Sequence, residues 1–392
     1  MTCSVRVGAL IATLLLCTLA CTRAPAEDPR LREPAFVTST DRLAPLLTQT
    51  ERLTGTPAAR LAREIRQRVE GCELVHARFR PDETATSGFV PEWSCLDQPA
   101  DEDEAGFKEL ALSERGGHDA ILFWPLGDDG RTSIRFDLHD DGSVAAQGEL
   151  FVPSQPGLLG LLIPGNDPPA AAVLNPTNPL VRARARPRDG LGLAELVPSG
   201  GQADRMFALK GRLLEGALLA GTWEVNLLPP APGGRLPLPL LALHHRGVAP
   251  VTAALDQALT QLEATWPIQR TNRTFASSRG GEVEGGCFLE LPLLPELAPC
   301  WAVHPDALIV AWRAEAIDAA LGIPAVSANR GPAPNAPAQL EIRLDQFARV
   351  DRALMGESMP IGIGDVFSNL SLSVAPESDG RVPFRISLAR SQ

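Results

Sequence analysis

The chain contains no tyrosine, and only two lysines, Lys108 and Lys210, among its 36 basic residues. Arginine therefore carries nearly all the positive charge. That bias belongs to a GC-rich coding sequence of bacterial type and says nothing about activity. Positive charge is also in deficit, because the formal net charge is −11. An acidic chain is repelled by phosphate backbones and anionic lipid, so nucleic acid is not an expected partner. No apolar run reaches the ~20 residues that a membrane-crossing helix needs. The common catalytic signatures are missing as well. There is no GxSxG nucleophile turn, no HExxH, no phosphate loop and no dinucleotide fingerprint. Neither a metal nor a cofactor is expected.

What is present begins at the N-terminus. Arg6 precedes an apolar run from Val7 to Ala20. A basic start, an apolar centre and a small residue at its end describe a secretory signal, expected over residues 1–20. The stretch Leu19-Ala20-Cys21 resembles the bacterial lipoprotein box, in which a small residue precedes a cysteine whose thiol takes a diacylglyceryl group. That resemblance implies a mature chain lipidated at Cys21 and held in a membrane by two or three acyl chains, palmitate among them. Thr22 stands where an aspartate would retain such a protein at the inner membrane. By the same resemblance, the implied address is the outer membrane, facing the periplasm or the cell surface. The other reading of this stretch is simple signal cleavage, with Cys21 incidental. Residues 21–34 hold three prolines and no apolar periodicity, so they are expected to form a tether.

Cysteine usage agrees with export. Cys3, Cys17 and Cys21 belong to the signal region, which leaves Cys72, Cys95, Cys287 and Cys300. Four cysteines allow three pairings. Local pairing, Cys72 with Cys95 and Cys287 with Cys300, closes the shortest loops and suits an oxidising compartment. A zinc site would ordinarily bring CxxC-like spacing, which these four lack.

Hydrophobic residues make up 44% of the chain, sufficient for one large core or two medium ones. After the tether, a pattern recurs. Pro57 can start a helix and Gly71 can end one, with Leu61, Ile65 and Val69 recurring between them. "ELVHARF" alternates as a strand does. "HDAILFW", His118 to Trp124, reads as a buried strand. The segment between the two following Asp-Gly turns alternates at Ile134, Phe136 and Leu138, which predicts an antiparallel meander. The second half repeats this order. Val251, Leu255, Leu259, Leu262 and Trp266 mark a helix face. Cys287 opens "CFLELPLL", "HPDALIVAW" echoes "HDAILFW", and a short helix is expected from Ala314 to Leu321. "AFVTSTDRLAPLLTQ", "AAAVLNPTNPLVRARA" and "AQLEIRLDQFARVDRAL" each read as strand, cap, helix, with Asn175 and Asp345 as caps in the last two.

The shared order points to an internal duplication. The expected fold class is α+β: two similar halves, 35–165 and 166–392, each a largely antiparallel sheet with helices packed on one face. Residues 166–322, and "ELPLLPELAPCWAVHPDALIVAWRAEAIDAAL" above all, resemble a group of secreted or lipidated bacterial envelope proteins of unknown function with duplicated α+β halves. That resemblance implies a fold and an address, and no chemistry.

Candidate chemistry is sparse. Asp137, His139 and Asp141 alternate before Gly142 as in a calcium loop, but Gly148 stands where a bidentate glutamate is needed. A hairpin turn accounts for them better. His118-Asp119 and His304-Pro305-Asp306 match half of a hydrolase triad and form the candidate polar site, with turn roles as the plainer explanation. His244 and His245 are adjacent and on a strand would face opposite sides. The cluster Arg182, Arg184, Arg186 and Arg188 reads as a solvated segment. Two functions remain. One is a lipid-anchored scaffold or binding module whose partner is an envelope protein, lipid or glycan. The other is a periplasmic hydrolase of unrecognised type.

Overall fold

The computed structural model describes residues 34–390, apart from the longer segments 82–88, 152–168, 187–221, 290–297, 323–335 and 356–363 and several short stretches. Cys21, the signal, the tether up to residue 33, Arg188 and Trp266 lie outside the described residues. The described elements run in chain order as β1 (Ala35–Ser39), α1 (Thr40–Glu51), α2 (Pro57–Val69), β2 (Leu74–Pro81), β3 (Phe89–Cys95), α3 (Glu102–Arg115), β4 (Ala120–Leu126), β5 (Gly130–Leu138), β6 (Val144–Phe151), β7 (Val181–Ala185), β8 (Trp223–Leu228), β9 (Leu238–His244), α4 (Val248–Thr265), β10 (Arg270–Ala276), β11 (Glu282–Phe288), β12 (Cys300–Val303), β13 (Ala307–Ala311), α5 (Ala314–Leu321), β14 (Ala338–Ile342), α6 (Leu344–Met355), β15 (Phe367–Val374) and β16 (Arg381–Arg390). The mixed composition and the antiparallel pairing match the expected class. No described helix is long and apolar enough to cross a membrane.

The chain divides into two compact units. The first comprises Met1–Gln155, Arg343–Leu372 and Ser378–Gln392, and the second Pro156–Ile342 with Ser373–Glu377.

In the first unit the strand order is β15-β16-β6-β5-β4-β1-β2-β3. The meander β4-β5-β6 forms as its alternation predicts. The two faces of the central strands are covered differently. Ala35, Val37, Leu74, Ile121 and Phe123 point to one face, where Phe107 and Ala111 of α3 pack on them. Val75 points to the other, against Leu43 and Leu47 of α1 and Ala62, Ile65 and Val69 of α2. Helices therefore lie on both faces here and not on one. A strand buried on both sides can present apolar residues at successive positions, as in the run Ala120–Trp124. Leu61 departs from its expected place and is 47% exposed. A strict four-residue spacing drifts around a 3.6-residue helix, and the stripe Ala62, Ile65, Val69 follows the core more closely.

In the second unit the order is β10-β11-β12-β13-β9-β8-β7-β14. Again both faces are covered. Ala302, Ile309 and Ala311 meet Ala316, Ile317 and Ala320 of α5. Trp301 and Leu308 meet Val251, Leu255 and Leu259 of α4. The strand near Cys287 ends at Phe288, where the sequence suggested that one begins. The strand-then-helix unit forms at β1–α1 and at β14–α6. It does not form after Asn175: the "VRARA" segment is strand β7, and it pairs with β8 and β14.

Both local disulfides are present. Cys72 and Cys95 have their Cα atoms 5.5 Å apart, and Cys287 and Cys300 theirs 4.0 Å apart. Cys287 and Cys300 are direct cross-strand partners. Each bridge is worth ~3 kcal/mol through restriction of the unfolded chain.

β6 and β16 meet across the longest sequence separation in the first unit, and the register sets Phe384 opposite Gly148. A Cβ on Gly148 would lie 2.7 Å from the Phe384 ring and 2.8 Å from the Ser133 carbonyl. We expect Gly148→Ala to destabilise the protein by about 1–3 kcal/mol through overpacking. Denaturant unfolding would show this as a lower midpoint at unchanged slope.

Candidate functional site

The two histidine–aspartate pairs expected from the sequence lie in different units. His118 stands just before β4. Its Nδ1 is 2.9 Å from Asp137 Oδ1, and its Nε2 is 2.9 Å from the Gln147 amide nitrogen. With the Gln147 amide donating to Nε2, the ring proton sits on Nδ1 and points at Asp137. Both ring nitrogens are thereby engaged. Asp119 does not orient this ring. Its carboxylate accepts the Leu138 N–H at 2.8 Å and pairs with Arg42 at 3.2 Å. The neighbouring Asp137–Gly142 segment is a turn: Gly142 donates to the His139 carbonyl, and Asp141 accepts from Ser143 N and Oγ. Those hydrogen bonds hold the Asp141 carboxyl below its ordinary pKa. Gly142 has φ +80°, the left-handed region that favours glycine. A cavity of about 120 Å³ lies against this turn, between Asp41, Arg42 and Leu46 of α1 and His139, Asp140 and Ser143. Pockets for substrate-sized ligands run to roughly 300 Å³ and more.

His304 occupies the reversal between β12 and β13 and is 4% exposed. Its Nδ1 accepts the Asp306 N–H at 3.1 Å, and Asp306 Oδ2 stands 3.8 Å from the same nitrogen. Backbone bonds between His304 and Ala307 close the turn. His245 points to the His304 carbonyl at 3.0 Å, whereas His244 turns the other way, as strand geometry requires.

His244 belongs to a cluster that sequence reasoning missed. Its Nε2 lies 2.6 Å from Glu224 Oε1, and both side chains are buried. The same carboxylate accepts the N–H groups of Val173 at 2.8 Å and Leu174 at 3.2 Å. Thr222 accepts the Ala170 N–H at 2.6 Å. These side chains fasten the segment 170–174 over the sheet, where Val173 and Leu174 join the core. Next in the register, Arg184 faces Glu224 and Arg182 faces Asn226. This "VRARA" stretch is half-buried, not solvated. Burial pulls the Arg184 pKa down, and Glu224 opposes the shift. Nothing local in the sequence pairs residue 224 with 244. The match exists only through the β8–β9 register.

A second missed cluster holds a nucleophile beside a base. Ser94 of β3 and His76 of β2 are register partners, and Ser94 Oγ lies 2.8 Å from His76 Nε2. His76 is 3% exposed. Glu104 Oε1 lies 4.0 Å from that same Nε2. His76 Nδ1 is buried without a hydrogen-bond partner. In a charge-relay triad the acid holds the nitrogen opposite the nucleophile. Here the acid and the hydroxyl share one nitrogen, so the ring is not oriented for relay. Among the described residues one convergent set of metal-ligating residue types is already committed. Cys72, Cys95 and Asp97 converge, but the sulfurs are bonded to each other, and Asp97 accepts the Glu73 and Leu74 N–H groups at 2.6 and 2.7 Å.

In comparisons with known proteins, no family model, no curated protein and no solved structure matches this chain.

Burial lowers the His76 pKa from its ordinary 6.5; Arg78 adds to the shift and Glu104 opposes it. The unfolded chain therefore takes up a proton at a pH where the folded chain does not. Stability from this site is fully present above 6.5 and is lost as the pH falls through and below it. We expect unfolding midpoints to fall between about pH 7 and about pH 5, and His76→Gln to remove part of that slope. A slope unchanged in the variant would contradict this assignment.

Proposed function

We propose that this chain is a lipid-anchored bacterial envelope protein whose folded part binds an envelope protein, lipid or glycan and performs no chemistry. The observation that carries the reading is the state of its histidines. His118, His244 and His304 each place a ring nitrogen against a carboxylate or a backbone group that holds the chain in position. At His118 the Gln147 amide takes the second ring nitrogen as well, so neither nitrogen is free to act as a general base. The lipoprotein-like box at Cys21 and the two disulfides support an address in the envelope, at the outer membrane or its periplasmic face.

One observation favours the alternative of a periplasmic hydrolase: the 2.8 Å contact of Ser94 with His76. A fluorophosphonate probe separates the two readings. Under the binding reading, the wild type stays unlabelled. Labelling that is lost in Ser94→Ala would establish the hydrolase.

A fatty-acid analogue fed to cells should mark the wild type and leave Cys21→Ala unmarked. Release of unlabelled wild-type protein in soluble form would refute the anchor. His118→Ala and His304→Ala should retain the cellular phenotype wherever they fold. Loss of the anchor should weaken it, because a tethered binder works at high local concentration.

A further inference from the structure

Strand β10 begins the order of the second unit and, among the described residues, pairs on one side only, with β11. Its parity is fixed by the bond from Leu289 N to the Gln269 carbonyl. With Arg270 opposite Phe288, the backbone groups of Thr271, Arg273 and Phe275 turn towards β11, and those of Arg270, Asn272 and Thr274 turn outwards. These outward N–H and C=O groups have no hydrogen-bond partner among the described residues, and Thr271, Asn272, Arg273 and Thr274 are exposed.

Edge strands are normally guarded by proline, a bulge or a protruding cation. The first unit follows that rule. At its terminal strand β3, the bond from Leu96 N to the Leu74 carbonyl sets Pro91 among the outward positions, where it offers no N–H. β10 has no proline, and its register with β11 is unbroken. Its cations are drawn back towards the helices. Arg270 pairs with Asp256 at 3.4 Å and Glu263 at 3.2 Å on α4. Arg273 pairs with Asp318 at 2.7 Å on α5 and lies over the Phe275 ring. Among the described residues the edge is polar and uncovered.

We propose that β10 is the surface through which two copies of this chain pair, antiparallel, about a two-fold axis at Asn272. That register sets Asn272 against Asn272 of the second copy and Arg270 against Thr274 in both directions. Each of these pairs exchanges both backbone bonds, so every outward group from Arg270 to Thr274 is satisfied. On the other sheet face, Thr271 meets Arg273. No like charges oppose each other, whereas an axis at Arg273 would set two guanidinium groups face to face. Thr274 also has the exposed Glu284 beside it on β11. Arg270 of the second copy thus arrives on the same row as that carboxylate. Pairing of this kind is isologous and closed, so it consumes the edge without propagating. The inference stands independently of the binding reading.

The test uses the full chain released from membranes in mild detergent. Asn272→Cys should form a disulfide-linked homodimer under mild oxidation, because hydrogen-bonded antiparallel partners lie about 5.5 Å apart at Cα. Thr271→Cys, on the opposite face and off the axis, should not. Sedimentation should give about twice the monomer mass for the wild type, and the monomer mass for Thr274→Pro, which lacks one outward N–H. If Thr274→Pro does not fold, the cysteine pair decides. A monomeric wild type, or Asn272→Cys that forms no homodimer or links only to a different protein, overturns the proposal.

Discussion

The central strands of both units are buried on both faces, and that constraint governs where polar groups can go. In the first unit, α3 covers one face and the α1–α2 pair the other. In the second, α5 and the segment at Val173 and Leu174 cover one face and α4 the other. A polar side chain on such a strand finds no water, and an unpaired one costs ~1–3 kcal/mol. Glu224, His244 and His304 therefore meet groups of the protein itself. Glu224 is the fullest case, because three donors converge on its carboxylate.

The same constraint bears on function. A histidine enclosed between layers serves the fold most directly by orienting a turn or pinning a segment, as His304 and His244 do. Ser94 and His76 lie near enough for catalysis, but their acid is on the wrong nitrogen. Chemistry built on His118, His244 or His304 would have to break the contacts that those rings make. A binding surface needs no such rearrangement. Backbone groups at a strand end or side chains on a helix face can meet a partner without disturbing the layers.

Much of the local structure is legible in the sequence. The meander from Ala120 to Phe151 follows from strand alternation and Asp-Gly turns. The helix from Ala314 to Leu321 follows from its apolar spacing and Gly322. Both disulfides follow from loop length. What was illegible is non-local. β16 joins β6 across more than two hundred residues, and no local pattern announces it. "VRARA" alternates charge with small residues, and only its neighbours β8 and β14 turn it from a solvated segment into a half-buried strand. The division of helices between faces was hidden for a related reason. Continuous apolar runs such as "AILFW" indicate burial on both sides, but which helix covers which side depends on chain paths set far away. The Ser94–His76 and Glu224–His244 pairs are products of strand register, which sequence spacing does not reveal.

Buried polar side chains here fasten the chain, and Glu224 does so through the most contacts. Glu224→Gln keeps the size of the side chain and removes its charge. Hydrogen exchange resolved to single amides should show Val173 and Leu174 exchanging about ten- to a hundredfold faster in the variant, matching the loss of a hydrogen bond to a charged acceptor. The amides of β12 and β13 should be unaffected. Unchanged protection at Val173 and Leu174 would contradict the account.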